Sequence, residues 1–195
     1  MAVDDDNPSA PDGPLAGREV LLCATGGIAC YKAADLTSKL VQAGAGVCVA
    51  MTDAAQRFVA PLTFQAISGR KVHTTMWPSP DQFSSRHIEL TERADLMIVA
   101  PATADILAKM AAGIADDLVS TLALAACGAC EILVAPAMNT RMWQAPPTRE
   151  NMQRLRGRGV HVVGPATGRL ACGTTGPGRM AEPHDILSAA VELLR

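Results

Sequence analysis

The chain has 195 residues, enough for one domain with a sizeable core. Its 17 Lys and Arg against 19 Asp and Glu give a formal net charge of -2, and its aromatic residues are limited to two Trp, one Tyr and three Phe. This composition argues against nucleic acid as a partner, because the chain lacks both a dense basic stripe and a stacking platform. No apolar run reaches transmembrane length, so a membrane partner is not expected either.

The first segment, residues 1–17, reads MAVDDDNPSAPDGPLAG and predicts a polar, disordered tail ahead of one domain, residues 18–195. It lacks the basic-then-apolar order of a signal peptide, and the six cysteines follow no secreted spacing. We therefore expect a cytoplasmic protein with reduced thiols. Cys127 and Cys130 form a CxxC, but a single pair without further ligands favours buried packing, and no metal site is expected.

From residue 19 onwards, apolar strand patterns alternate with helical patterns. Strands are predicted at residues 19–25, 47–52, 95–102, 131–137 and 160–164, with a short edge strand at 71–75. Helices are predicted at about residues 28–43, 58–67, 103–112 and 117–126, from Pro146 or Pro147, and at 185–194. Residues 165–180 are predicted to be a long Gly-rich loop. The alternation predicts an α/β fold with a parallel sheet covered on both faces.

Ligands of such sheets bind beyond the carboxyl ends of the strands, where this chain places its unusual residues. Gly26 and Gly27 follow the first strand, and they suit either a phosphate at a helix start or simply a tight turn. Thr52 follows the second strand, and Thr103 and Asp105 follow the third; they are either helix caps or ligand contacts. If the three ends converge, they line one pocket.

Three further side chains are candidates for chemistry. His87, in SSRHIEL, is either a proton donor or acceptor or a solvated histidine. Asn139, in VAPAMNTRMW, can orient a carboxylate, cap a short helix, or do both. Cys172 lies in the Gly-rich stretch LACGTTGPG, where a mobile lid would carry its thiol as a proton donor or nucleophile; the alternative is an ordinary loop cysteine.

Five motifs occur in one order: GGIACYK, HIEL, APATADILAKMAAGIADDL, PAMNTRMW and ACGTTGPGRMAEP. Over roughly residues 17–190 the chain resembles the homo-oligomeric flavin-containing cysteine decarboxylases. The resemblance implies a single Rossmann-like, flavodoxin-like three-layer domain that binds FMN. It also implies that the flavin lies between subunits of a homotrimer, or of a dodecamer built of trimers.

The resemblance further implies a reaction, the decarboxylation of 4′-phosphopantothenoylcysteine to 4′-phosphopantetheine in coenzyme A biosynthesis. FMN oxidises the thiol carbon to a thioaldehyde, loss of CO2 gives an enethiol, and the enethiol is then reduced. The cofactor carries the redox chemistry while the protein positions and protonates. A separate protein would then have to add the cysteine.

The resemblance assigns roles to individual residues of this chain that match the motifs of the family. The resemblance implies that His87, Cys172 and Asn139 are catalytic and that Asn139, Met142 and Ala171 bind substrate. It implies FMN contacts from Gly26, Gly27, Ile28, Thr52, Phe58, Pro101, Ala102, Thr103, Asp105, Ala137 and Met138. In PAMNTRMW, Asn139 would hold the carboxylate while the Met and Trp side chains form an apolar wall. Thr174 departs from the family, which commonly has an acidic residue there.

Two other functions stay open. An oxidative decarboxylase of a peptidyl C-terminal cysteine shares the His and Asn chemistry, although the retained Cys172 favours the reducing enzyme. A non-enzymatic, flavin-binding regulatory subunit is the second alternative, and the short acidic run at residues 4–6 does little to favour it. A flavin prenyltransferase is not expected, because HIEL and PAMNTRMW do not resemble its sites.

Overall fold

The computed structural model describes residues 13–77, 86–169, 171 and 173–195. Its strands are β1 (Glu19–Ala24), β2 (Gly46–Met51), β3 (Leu96–Ala102), β4 (Glu131–Pro136), β5 (His161–Val162), β6 (Ala166–Arg169) and β7 (Thr175–Arg179). Its helices are α1 (Cys30–Gln42), α2 (Asp53–Gln56), α3 (Pro61–Ser68), α4 (Arg86–Arg93), α5 (Ala104–Ala112), α6 (Leu118–Ala125), α7 (Thr140–Gln144), α8 (Pro146–Gly157) and α9 (Pro183–Leu193).

The first five strands form one parallel sheet in the order β2-β1-β3-β4-β5. The chain steps from β1 to β2 on one side and then crosses to β3 on the other side of β1. The carboxyl ends of β1 and β3 therefore flank the point where strand order reverses, which is where open α/β sheets bind ligands. The predicted α/β class is confirmed.

Both faces of the sheet are covered, because successive strand residues point to opposite sides. Leu22 faces a core formed with α1, α3 and α9, whereas Leu21 faces a core formed with α5, α6 and α8. Leu36 of α1 and Phe64 of α3 are completely buried. Burying each such side chain stabilises the fold by about 1.5–3 kcal/mol, so the two cores fix the helices that carry the strand-end residues. The three-layer arrangement is as expected.

Residues 165–180 differ from the predicted loop, because they contain an antiparallel hairpin of β6 and β7. Strand patterns miss it because TGPGR in β7 combines two glycines with a proline, a composition that is depleted in strands. Tertiary packing decides the conformation here.

The predicted edge strand at residues 71–75 is reduced to a single parallel bridge between His73 and Ala50. The His73 amide donates to the carbonyl of Val49 at 2.8 Å, and the Met51 amide donates to the carbonyl of His73 at 2.9 Å. One bridge holds this segment against β2 without forming a strand.

The predicted tail, residues 1–17, overlaps the packed part of the chain. Residues 1–12 lie outside the described residues, but Leu15 is only 1% exposed and belongs to the core beneath α1. The Leu15 amide donates to the carbonyl of Ala43 at 2.9 Å, which ties this residue to the end of α1. In the described ranges no helix has both the length and the apolar character to cross a bilayer.

Candidate active site

A cavity of about 1070 Å³ lies beyond the carboxyl ends of β1, β2, β3 and β4. Its position at the reversal of strand order is the expected one for a ligand of this fold. Eleven of the residues predicted for the site line it: Gly26, Gly27, Ile28, Thr52, Thr103, Asp105, Ala137, Met138, Asn139, Met142 and Ala171. The sequence-predicted strand ends therefore do converge.

The start of α1 opens into this cavity. Its N-cap residue, Ala29, has no side-chain oxygen, so no side chain caps the helix. The amides of Cys30 and Lys32 donate to the carbonyls of Gly27 and Ala29, so it is the dipole of this 13-residue helix that favours an anion at this end. The geometry suits a phosphate group.

The two glycines before α1 have different reasons to be glycine. A Cβ at Gly26 would overlap the side chain of Ala54 in α2, so packing alone requires glycine there. A Cβ at Gly27 would lie 3.7 Å from the Cγ2 atom of Thr103, an ordinary contact, so Gly27 borders open space in the cavity. Close packing against α2, and not a left-handed backbone, therefore explains Gly26, while Gly27 has room beside it; both glycines line the cavity.

Thr52 and Thr103 both cap helices, as one of their two interpretations predicted. The Thr52 hydroxyl accepts from the Ala55 amide at 3.2 Å, and the Thr103 hydroxyl accepts from the Ile106 amide at 3.4 Å. Both side chains also line the cavity, so capping does not remove them from the site.

Thr25 joins the two strand ends that flank the cavity, and sequence reasoning missed it because it was assigned to the first strand. Its buried hydroxyl donates to the carbonyl of Pro101 at 2.6 Å and accepts from the Thr103 amide at 3.3 Å. These bonds satisfy a buried hydroxyl and fix the end of β3 relative to β1.

Asn139 caps α7, with its side-chain oxygen accepting from the Arg141 amide at 2.8 Å. The hairpin lies directly on this turn, because the Met138 amide donates to the carbonyl of Gly178 at 2.9 Å. A Cβ at Gly178 would overlap the Met138 carbonyl oxygen, and one at Gly176 would lie 2.6 Å from the Thr140 hydroxyl. Glycines in β7 therefore permit the hairpin to approach the turn closely.

The apolar wall predicted for this motif is only partly as expected. Met138 and Met142 line the cavity, and Met142 is 49% exposed. Trp143 instead packs against the core between the sheet and α5, α6 and α8. The indole thus anchors α7 to the domain, and the two thioethers supply the wall.

His87 lies in the first turn of α4 and is half-buried, but it does not line the cavity of its own chain. Its carbonyl accepts from the Thr91 hydroxyl at 3.0 Å. Three residues predicted to contact the cofactor also lie outside the lining: Phe58, which is 50% exposed, and the buried Pro101 and Ala102 of β3. His87 and Asn139 therefore do not line the same cavity of one chain.

Ala171 lines the cavity beside β6, whereas the neighbouring Cys172 lies outside the described residues. Of the described residues in the stretch predicted as a lid, Ala171 and Gly178 line the cavity. The role of the Cys172 thiol stays a prediction.

Lys32 is a further cavity residue that pattern reasoning did not single out, although it ends the quoted motif GGIACYK. Its ammonium is buried and donates to the carbonyl of Met180 at 3.1 Å and to Glu182 at 3.0 Å. The hydrogen bond from Lys32 lowers the pKa of Glu182. These contacts tie the end of β7 to α1.

A second, smaller cavity of about 420 Å³ lies near the CxxC, away from the strand ends. Cys127 is exposed and Cys130 half-buried, so the expected burial of both thiols is wrong for Cys127. Burial raises the pKa of the Cys130 thiol. Within the described ranges no group of three or more His, Cys, Asp or Glu side chains is placed to hold a metal ion.

Fold and cavity together define a three-layer α/β protein that binds its ligand across the carboxyl ends of parallel strands. The flavoprotein family model matches residues 8–195. The chain belongs to the flavoprotein family, which confirms the resemblance stated from its motifs.

Individual relatives agree with this assignment. The chain is 49% identical over 174 residues to the coenzyme A biosynthesis bifunctional protein CoaBC of Vibrio cholerae, covering 89% of this chain and 43% of that protein. The chain thus spans less than half the length of this curated relative.

Solved structures of similar proteins cover nearly the whole domain. A cysteine-to-serine mutant of PPC decarboxylase complexed with pantothenoylaminoethenethiol is 31% identical, with a TM-score of 0.78, and the match covers 91% of this chain and 97% of that one. The FMN-dependent cysteine decarboxylase SpaF is 28% identical, with a TM-score of 0.78 and coverage of 93% and 99%.

Proposed function

We propose that this chain is an FMN-dependent decarboxylase that converts 4′-phosphopantothenoylcysteine to 4′-phosphopantetheine in coenzyme A biosynthesis. The observation that carries the proposal is the single cavity that joins the uncapped start of α1 to the Asn139 turn. One end of this cavity suits a phosphate, and the other offers an amide and two thioethers for a cysteine-ended substrate. The PPC decarboxylase structure and the CoaBC relative support the choice of substrate.

The residues of the cavity fit FMN. The start of α1 suits its phosphate, Gly27 borders open space, and Ile28 and Met138 provide apolar surface for a ring system. When bound, FMN would supply the two-electron oxidation of the substrate's thiol carbon and the later return of a hydride. Thr103 and Thr52, held by their capping bonds, offer hydroxyls at fixed positions along the wall.

Asn139 binds the substrate carboxylate in this proposal. Its side chain is held in place because the oxygen already caps α7, and an amide adds no charge that would stabilise the carboxylate against leaving as CO2. Ala171 and Met142 border the same region, and the hairpin packs on the Asn139 turn through the Met138–Gly178 hydrogen bond. Cys172 supplies a proton to the enethiol carbon.

The proposed enzyme works as a homo-oligomer built of trimers, with the flavin between subunits. Placement of His87 outside the cavity of its own chain supports this, because a neighbouring copy can then bring its His87 to the reacting thiol carbon. Exposed apolar side chains border the cavity, with Ile28 and Tyr31 each 61% exposed and Trp77 79% exposed. Covering them in an interface would bury apolar surface that a lone chain leaves in water. We place this assembly in the cytoplasm, where the free cysteines stay reduced.

A decarboxylase of a peptidyl C-terminal cysteine is the second candidate, because it would share the His and Asn chemistry, and the likeness to the FMN-dependent cysteine decarboxylase SpaF is compatible with either substrate. A direct comparison separates the two. We expect the FMN-loaded protein to turn over 4′-phosphopantothenoylcysteine at least about tenfold more efficiently than a short peptide ending in cysteine, a difference of about 1.4 kcal/mol in transition-state binding. A preference for the peptide would move the assignment to the second candidate.

A further inference from the structure

The side chain of Lys109, in α5, forms ion pairs with three carboxylates at the wall of the large cavity. Its Nζ atom lies 2.8 Å from Asp117, 2.9 Å from Asp116 and 3.6 Å from Asp105. All four side chains line the cavity, and that of Lys109 is 19% exposed. The hydrogen bonds that the Lys109 ammonium donates to the Asp117 and Asp116 carboxylates raise the pKa of Lys109, so its ammonium stays charged at neutral pH.

The same residue holds both ends of the α5–α6 connection, residues 113–117. The Lys109 carbonyl accepts from the Ile114 amide at 2.9 Å, just after Gly113 ends α5 in a left-handed conformation with φ of 71°. At the other end Asp117 caps α6, accepting from the Ser120 amide at 2.9 Å. The main-chain bond survives any substitution of Lys109, so a substitution removes only the contacts of its side chain at the second end, which Asp117 otherwise holds through its capping bonds with Ser120.

The charges in this cluster do not balance. Three carboxylates against one ammonium leave a formal charge of about -2, and loss of the ammonium would leave about -3 at the same wall. Asp105 and Asp116 are well exposed, so each ion pair by itself adds little to the stability of the fold. Loss of the ammonium would mainly change the position of the α5–α6 connection. Repulsion among the three carboxylates would drive the connection away from α5 and widen the cavity.

We propose that Lys109 is a positioning residue for the flavin: by folding the α5–α6 connection onto α5, it fixes one wall of the cavity and limits the negative charge that an anionic cofactor meets there. This inference rests on the proposed function, because it takes FMN as the ligand. It concerns residues of this chain and needs no catalytic turnover for its test.

The test compares FMN affinity among variants of the full chain, measured from the quenching of FMN fluorescence on binding. Lys109→Met should weaken FMN binding at least about tenfold, and Lys109→Arg should restore it to within about threefold of the wild type, because a guanidinium can hold the same carboxylates. Lys39→Met is the matched control, since Lys39 forms a comparable pair with Asp35 at 3.2 Å outside the cavity lining. It should bind FMN like the wild type.

Two further measurements separate positioning from a general loss of folding. The deficit of Lys109→Met should shrink at about 1 M salt, where the screening length falls to about 3 Å. Asp116→Asn should change FMN binding little in the wild-type background, where the lost contact with Lys109 and the lost negative charge act in opposite directions, but should strengthen it in the Lys109→Met background, where it only relieves repulsion. This difference between the two backgrounds remains measurable even if Lys109→Met is less stable.

The outcomes are distinguishable. Wild-type affinity in Lys109→Met, or an equal effect of Asp116→Asn in both backgrounds, would overturn the positioning role while leaving the proposed function in place. Failure of the wild-type chain to bind FMN would overturn the cofactor proposal and this inference with it.

Discussion

Replacing His87 with asparagine is expected to leave FMN bound and to reduce decarboxylation by at least about a hundredfold. General acid–base groups contribute factors of about 10² to 10⁴, and asparagine keeps hydrogen-bonding capacity while losing the ability to exchange a proton. His87 lies outside the cavity lining of its own chain, so the flavin site of that chain should remain intact. The measurement is the turnover rate at equal flavin occupancy.

His184→Asn is the matched control, because His184 is exposed in the first turn of α9 and does not line the cavity. It should turn over like the wild type. Normal turnover by His87→Asn would remove His87 from the mechanism. A non-enzymatic regulatory protein would instead keep its full biological effect after this substitution.

Mixed assemblies test whether His87 acts on a neighbouring copy. Chains with His87→Asn and chains with Asn139→Ala should each be inactive, but oligomers that combine them should regain activity, since some shared sites then hold both native residues. If His87 acted within its own chain, no site in the mixture would be complete. Loss of the α7 cap in Asn139→Ala costs about 1 kcal/mol, which the fold should tolerate.

Replacing Cys172 with serine is expected to stop the reaction at the enethiol. A thiol with a pKa near 8.5 is a far stronger acid than a serine hydroxyl, so the variant lacks a proton donor for the enethiol carbon. The first half-reaction does not need this proton. The product should therefore be the substrate minus CO2 and two hydrogens, formed once per bound flavin.

Cys127→Ser provides the control, because Cys127 is exposed at the second cavity and away from the strand ends. It should form the same product as the wild type. Clean formation of saturated 4′-phosphopantetheine by Cys172→Ser would rule out the thiol as the proton donor.

The sequence predicts the fold well wherever hydrophobic periodicity decides the structure. The apolar runs that became β1, β3 and β4 are buried almost throughout, and their ends converge because parallel strands present their carboxyl ends at one edge. Capping by Thr52 and Thr103 follows from residue chemistry next to a strand. Local rules suffice for these features.

The features that sequence patterns fail to predict share a different cause, which is packing between segments far apart in sequence. The β6–β7 hairpin is invisible to strand patterns because it depends on glycines that let β7 lie on the Asn139 turn. Trp143 turns to the core although its motif suggested a cavity wall. Lys32 and Lys109 look like ordinary helix lysines until the folded chain surrounds them with carbonyl and carboxylate oxygens.

The predicted role of His87 is not explained by the structure of a single chain. The motif of His87 is specific, and the resemblance gives it a catalytic role, yet it does not line the cavity that Asn139 lines in one chain. No local sequence rule predicts which surface of a second copy completes a shared site. The mixed-assembly experiment addresses that geometry directly.

The most direct test of the central claim is the mass of the product formed when the FMN-loaded protein is incubated with 4′-phosphopantothenoylcysteine. The account predicts loss of CO2 alone, because oxidation, decarboxylation and reduction then form a complete cycle that regenerates the flavin. Loss of CO2 together with two hydrogens would contradict the reductive half-reaction, and an unchanged mass would contradict the decarboxylase assignment itself.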